Sequence, residues 1–322
     1  MKKIIFYHND IDGVISAAAL IRLKKFNLDN IVLRPVKSSE RGMFDSIVKN
    51  ARSAYDYIAS VDYAFSPGLD FWCDHHHSPE LGDMNISGDH MIHDVTSKSA
   101  ASLLISKMLR EIPDTFFKKK YIKLLKELSE NIDMIDSCGY DNVDYFFESK
   151  APHMTIMRKI LIDSNDINSV VEAVLKCDFN LKKVVKVLKA DPSYYLRKQN
   201  ENSNSGGFLD RGGMTVHIAA EEKYTPTRYT EFYTYPDIFF SVRVVVNDDD
   251  ETCTVRVSKN PWNKKSTESI NLSTIFKGMY PLRSWGGHRD VSGGMITKNH
   301  LADFLKISER MLKSIMDGEY DV

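Results

Sequence analysis

Cysteine is sparse in this chain, and the four present (Cys73, Cys138, Cys177 and Cys253) form no Cys-x-x-Cys pair. That excludes a zinc ribbon or a disulfide framework and suits a reducing compartment. Charge of one sign is missing too: 43 Lys and Arg against 44 Asp and Glu leave a formal net charge of −1. A protein that coats a polyanion needs a basic surface, so any nucleic-acid contact here has to be a local pocket. No uninterrupted apolar run reaches the roughly 18 residues needed to span a bilayer. Met1-Lys2-Lys3-Ile4-Ile5-Phe6-Tyr7-His8 opens into neither a long apolar segment nor a small-residue cleavage site. A soluble cytoplasmic protein with no membrane partner is the expectation. Internal repeats and low-complexity tracts are also absent. What remains, 322 residues of which 43% are hydrophobic, supports a substantial core and fits two domains better than one.

The chain is organised around the run Trp72-Cys73-Asp74-His75-His76-His77. A carboxylate followed by three imidazoles is hard to account for as packing. Asp is seldom buried without a partner, and adjacent imidazoles bring several titratable rings into one turn. Carboxylate oxygen and imidazole nitrogen together suit divalent metals such as Mn, Zn or Fe.

Other strand ends carry the same residue types. Residues 4–7 are a short apolar, aromatic run, expected as a buried strand, and it ends at His8-Asn9-Asp10-Ile11-Asp12-Gly13. If that loop is extended, Asp10 and Asp12 point the same way, and Gly13 lets the backbone turn sharply into a helix. The helix has Ala17, Leu20, Ile21 and Leu23 on an apolar face. Further strands are expected at 31–36, at 57–62 (ending in Asp62) and at 71–73, with a short one starting at Met91-Ile92 before His93-Asp94; residues 43–51 are expected to be a helix. Strands alternating with helices imply a doubly wound, mainly parallel sheet, in which ligands bind at the carboxyl ends of the strands.

Helical periodicity covers 99–109 and 116–128, the second leading to Asp133 and Asp136, which share a helix face. Residues 150–200 look helical, and 200–213, rich in Asn, Ser and Gly, mark a boundary. Beyond it, 238–246 and 252–258 form a hairpin, 271–277 a short helix, 285–294 a glycine-rich loop, and 298–316 an amphipathic helix with Thr297 as N-cap. The expected organisation is a catalytic α/β domain over 1–165, a helical linker over 166–205, and a smaller α+β domain with a mixed sheet over 206–322 that binds substrate.

Each group has a plain alternative. His8, Asp10 and Asp12 could cap a helix, Asp62 could be a turn residue, Asp133 and Asp136 could be a solvated helix end, and Gly286-Gly287-His288-Arg289 could be an ordinary turn. Their coincidence favours a shared site. Some five carboxylates and two or three imidazoles are too many for one ion and suit two, ~3.5–4 Å apart, the arrangement that activates water for attack on phosphorus. Glycines at 286 and 287 allow backbone N–H groups close to a phosphate, which Arg289 can grip bidentately and His288 can donate to.

In this order, His8-Asn9-Asp10-Ile11-Asp12-Gly13, Asp62, Asp74-His75-His76 and Gly286-Gly287-His288-Arg289 resemble the motifs of the DHH phosphoesterase superfamily over nearly the whole chain. The nanoRNase and oligoribonuclease group, related to RecJ, is the most similar branch. The resemblance implies a DHH domain followed by a DHH-associated domain. It also implies two Mn²⁺ ions, with Mg²⁺ or Co²⁺ as substitutes. His8, Asp10, Asp12, Asp62, His75 and Asp133 would be metal ligands, with Asp62 bridging and Asp136 a rival for the last place. Asp74 and His76 would act with His75 in catalysis, and His77 may be incidental to it by this comparison. His288 and Arg289, on their glycines, would hold the substrate phosphate, assisted by Lys259 or Arg256 in place of a family arginine. Trp285 stands where the family usually has a further glycine. Implied substrates are short single-stranded RNA or DNA, or dinucleotides, released as nucleoside 5′-monophosphates. A signalling dinucleotide phosphodiesterase, an inorganic pyrophosphatase and a non-catalytic nucleotide-binding regulator are the alternatives, and a homodimer is compatible with all of them.

Overall fold

Alternation of apolar residues along the first strand decides what covers the N-terminal sheet. In the computed structural model, which describes residues 1–76, 86–111, 118–203, 209–210, 214–219, 229–247, 251–263, 270–276, 284–287 and 289–316, the chain begins with β1 (Lys3–His8), α1 (Ile11–Leu23), β2 (Ile31–Val36), α2 (Phe44–Ala51), β3 (Tyr57–Val61) and β4 (Phe71–Asp74). Two short strands, β5 (Ile86–Ser87) and β6 (Met91–His93), precede the helices α3 (Ala100–Glu111) and α4 (Lys118–Asp136). The strand order is β2-β1-β3-β4-β6-β5, parallel except at the β5 edge. Ile4 and Phe6 face Phe44 and Val48 of α2, the Phe6 and Phe44 rings meeting edge-on at 5.4 Å. Tyr7 points to the other face and donates to Asn168 Oδ1 at 2.5 Å, within α7 (introduced below). Helices therefore cover both faces, as a doubly wound sheet requires.

Helix α1 departs from the expected single apolar face. Every residue from Ile11 to Ile21 is buried, because α1 lies on β1 with α3 and α7 over it. A helix buried all round needs no polar stripe, and it carries Asp12 and Ser16 inside with it.

After α4 come α5 (Val143–Glu148), α6 (Pro152–Ile162), α7 (Ile167–Lys176), α8 (Leu181–Val187) and α9 (Pro192–Ser203). Contacts group Met1–Tyr140 with Ser149–Arg197 as one unit, and Asp141–Glu148 with Lys198–Val322 as the other. The expected linker at 166–205 is thus mostly a packed part of the first unit. Ile167, Val170, Val171 and Val174 bury one side of α7 against α1, and α8 rests on α6.

The second unit contains β7 (Leu209–Asp210), β8 (Met214–Ala219), α10 (Thr230–Thr234), β9 (Phe240–Val246), β10 (Thr252–Lys259), α11 (Leu272–Ile275), β11 (Ser284–Gly287), β12 (Val291–Thr297) and α12 (Leu301–Met316). Its mixed sheet runs β11-β12-β10-β9-β8-β7, with β8 and β9 parallel and the other pairs antiparallel. One face, with Val216, Val242, Val255 and Val257, packs on Phe276, Phe304 and Leu312. The expected glycine-rich loop is instead largely a strand pair: Trp285 is opposite Gly294, and Gly286 opposite Gly293. A Cβ on Gly293 would lie 2.7 Å from the Val255 carbonyl oxygen, so glycine there is what lets β12 approach β10. Thr297 hydrogen-bonds the His300 ring at 2.6 Å and makes no side-chain cap, since a 3₁₀ turn, Lys298–His300, precedes α12. No described helix is long and apolar enough to cross a membrane.

Candidate metal centre

Sheet order reverses at β1: the chain passes outward to β2, then back across to β3, β4 and β6. Loops leaving adjacent strands diverge at such a point and open a crevice at their carboxyl ends. His8 ends β1, Asp62 follows β3, and Asp74 ends β4, so all three reach that crevice.

Asp10 and Asp12 do not point the same way, because the loop is not extended through both. Asp10 is the extended N-cap of α1 and accepts from the Gly13 N–H at 2.9 Å, while its other oxygen lies 2.6 Å from His8 Nδ1. Asp12 is already in the helix. Its carboxylate accepts from the backbone N–H groups of Ala100 and Ala101 at 2.8 and 2.7 Å, tying α1 to the start of α3. Asp12 Oδ2 remains 3.6 Å from His75 Nε2. Gly13 serves close approach rather than a turn: a Cβ would sit 2.1 Å from the His8 carbonyl oxygen.

Asp62 sits at φ 53°, a left-handed conformation that is uncommon outside glycine. Its N–H donates to the Cys73 carbonyl at 2.8 Å, which pins the turn. Both carboxylate oxygens are buried and neither takes part in a hydrogen bond. Three imidazole nitrogens surround them: His75 Nε2 at 3.6 Å, His8 Nδ1 at 3.7 Å and His76 Nδ1 at 3.7 Å. These separations exceed a hydrogen bond and leave room for a shared cation.

His75 Nδ1 is 3.2 Å from the Ser97 carbonyl oxygen. A carbonyl only accepts, so Nδ1 carries the proton and Nε2 faces Asp12, Asp62 and Asp136. Asp74 Oδ1 accepts from the His75 and His76 N–H groups at 2.8 and 3.2 Å and meets His76 Nδ1 at 2.7 Å, so it orients the second histidine. Asp136, at the end of α4, brings Oδ2 to 3.3 Å from His75 Nε2. Asp133 does not join them: its Oδ1 accepts from the Ser99 and Ser102 hydroxyls, both at 2.5 Å. Three residues of helix advance about 4.5 Å, enough to carry Asp136 past α3 and into the crevice.

Ligand-type atoms gather in three groups, each within 4.8 Å: Asp62, Asp74, His75 and His76; His8, Asp10 and Asp62; Asp12, His75 and Asp136. Comparison with known protein families and with curated proteins finds no match. Solved structures do match. A pGpG-specific phosphodiesterase, PggH from Vibrio cholerae, aligns over 98% of this chain and 99% of its own at 13% identity, TM-score 0.58. RecJ in complex with Mn²⁺ from Thermus thermophilus aligns over 96% of this chain at 12% identity, TM-score 0.54; the chain spans about half (51%) of RecJ. The DHH domain of a member of the s1p family of ribosomal proteins aligns over 98% of this chain and 86% of its own at 13% identity, TM-score 0.52. This chain has the DHH-superfamily fold.

Within that DHH fold the cluster is an electrostatic contradiction unless cations join it. Burial, then the like charges of Asp12, Asp10, Asp136 and Asp74, push the Asp62 carboxyl well above the usual range. Burial and the Asp136 charge lift Asp12 too. His75 moves up although burial opposes it, since Asp136 and Asp12 favour the imidazolium; His8 moves up against burial through Asp10. Asp74 goes the other way: burial would raise it, but the His76 ring outweighs that and holds it low.

His93 and the hydroxyls of Ser99 and Ser102 were not singled out by their spacing. His93 is buried at the end of β6, stacks on Trp72 at 5.0 Å, and places Nε2 2.8 Å from the His76 carbonyl oxygen. Its only signal in the sequence is its place after a short apolar run. His77 and His288 lie outside the described residues. In the second unit, Gly286 and Gly287 are in β11, and Arg256 and Arg289 are exposed. Lys259 is buried, its Nζ held by the Ile270 carbonyl at 2.7 Å and Asp290 at 2.5 Å, so the ammonium is already engaged.

Proposed function

We propose that this chain is a metal-dependent phosphodiesterase that cleaves short single-stranded nucleic acid, down to dinucleotides, into nucleoside 5′-monophosphates. Asp62 carries the reading: both oxygens are buried without a hydrogen bond and ringed by three imidazoles. The donors fit two divalent cations. His8 and Asp10 would hold one, and Asp12, His75 and Asp136 the other, with Asp62 common to both. Asp136 takes the place first expected of Asp133. An oxygen-rich set with some imidazole favours Mn²⁺, with Mg²⁺ or Co²⁺ as substitutes. When bound, such a pair supplies an activated water and neutralises charge on the phosphoryl group.

The chain's own residues do the positioning. Ser97 fixes the tautomer of His75, Asp74 orients the His76 ring, and His93 holds the His76 backbone. His76 is then the side chain set to steady a proton or an oxygen at the scissile phosphate. Gly286, Gly287, His288 and Arg289 are proposed to grip a substrate phosphate, with Arg256 rather than the engaged Lys259 beside them.

Two observations favour a short substrate. Net charge is −1, whereas many backbone contacts would need a basic track. Similarity to the dinucleotide phosphodiesterase PggH runs end to end, while RecJ has twice the length. The test is a screen of the Mn²⁺-loaded chain against 5′-phosphorylated dinucleotides, cyclic dinucleotides, pyrophosphate and long single strands. Dinucleotides should yield monophosphates, and EDTA or Asp74→Ala should abolish turnover with the fold retained. Cleavage of pyrophosphate alone would replace this reading with a pyrophosphatase; cleavage of long strands alone would remove the short-substrate claim.

A further inference from the structure

The face of the mixed sheet opposite its apolar core is polar, and most of it is buried. Two cross-strand rows cross β8, β9 and β10. In one, Thr215 is opposite Ser241, and Ser241 opposite Ser258; in the other, His217 is opposite Arg243, and Arg243 opposite Arg256. Exposure grades across the rows: Thr215 0%, Ser241 1%, His217 4%, Ser258 8% and Arg243 9%, with Arg256 exposed at the β10 side.

Two features of this patch are costly in a protein that binds nothing there. Thr215 Oγ1 and Ser241 Oγ are buried and neither makes a hydrogen bond. A buried hydroxyl left alone loses its water contacts without compensation, so native proteins seldom keep one, and here two sit directly opposite each other. Next to them, two guanidiniums face each other across paired strands, a repulsive arrangement. Glu231 of α10 ion-pairs with Arg243, which neutralises one of the two. A multidentate oxyanion relieves both: hydroxyls donate to its oxygens and the guanidinium fork matches its geometry.

We propose that this face is a phosphate-binding site, with Thr215 and Ser241 donating through their hydroxyls and Arg243 through its guanidinium, entered from the Arg256 side. The site needs no metal and lies wholly in the second unit. Only its assignment to a substrate's non-scissile phosphate rests on the phosphodiesterase reading.

The test is calorimetric titration of the full chain in EDTA with inorganic phosphate and with a 5′-phosphorylated dinucleotide, comparing wild type with the Thr215→Val, Ser241→Ala double variant. The variant should bind at least tenfold more weakly while its melting temperature is unchanged or higher, because the orphaned hydroxyls are gone. Weakening for phosphate alone assigns the site to the free ion; weakening for the dinucleotide assigns it to a nucleotide phosphate. Equal affinities in the two proteins, or no binding of either probe to wild type, overturns the site. Since no hydrolysis is measured, an inactive enzyme would not affect the outcome.

Discussion

Asp62 concentrates the chemistry of this protein in one side chain. Its left-handed backbone aims the carboxylate among other carboxylates, where burial and like charge oppose ionisation. Such sites trade stability for function. Asp62→Asn should therefore raise the stability of the EDTA-treated protein by about 1–2 kcal/mol and remove the rise in melting temperature produced by Mn²⁺. Thermal unfolding with and without the metal reads both effects. A variant less stable than wild type in EDTA would sink the like-charge account. The charge and imidazole content of this site was legible in the spacing of His8, Asp62 and Asp74. The positive φ was not, because it depends on how β3 and β4 pair at Cys73.

At the scale of elements, α4 decides which acid serves. Asp133 and Asp136 share a face, but Asp133 meets the serines of α3, while Asp136 meets His75. Asp133→Ala should cost about 1–3 kcal/mol, the range for unpairing buried hydroxyls, and leave Mn²⁺ affinity intact. Asp136→Asn should do the reverse, weakening Mn²⁺ binding with little loss of stability. Denaturant unfolding and metal titration of both variants separate them; equal metal affinities would restore Asp133 as the candidate. The order of strands and helices from residue 1 to 136 followed from apolar periodicity and strand-end punctuation. Short β5 did not, since two residues carry no periodic signal, nor did the β11–β12 pairing, since glycines suggest a loop until a neighbouring strand uses their lack of side chain.

For the whole molecule, stability should respond to pH through a group far along the chain from the cluster. Burial, aided by the Arg158 charge, lowers His153 from 6.5 to about 4. With its folded value below its unfolded one, His153 makes no difference above pH 6.5, where both states are neutral. As pH falls from there to about 4, the unfolded chain takes up the proton first, and stability drops by up to about 3 kcal/mol. Urea unfolding across that range should be flatter in His153→Gln than in wild type; identical slopes would remove His153 from the pH response. Division into units is also a whole-molecule property. The segment 141–148 belongs with the second unit and 149–197 with the first, an exchange that linear composition cannot reveal because each piece is an ordinary helical stretch.

By itself the sequence determined a doubly wound sheet with a carboxylate and imidazole cluster at its strand ends, since periodicity of two and 3.6 and the residues that interrupt it are local properties of the chain. Tertiary structure alone decided that Asp136 rather than Asp133 reaches the cluster, that Asp12 braces α3 while facing His75, and that the second sheet carries a buried polar face. Those outcomes depend on which side chains from distant segments meet, and on which hydroxyls are left without a partner once they do.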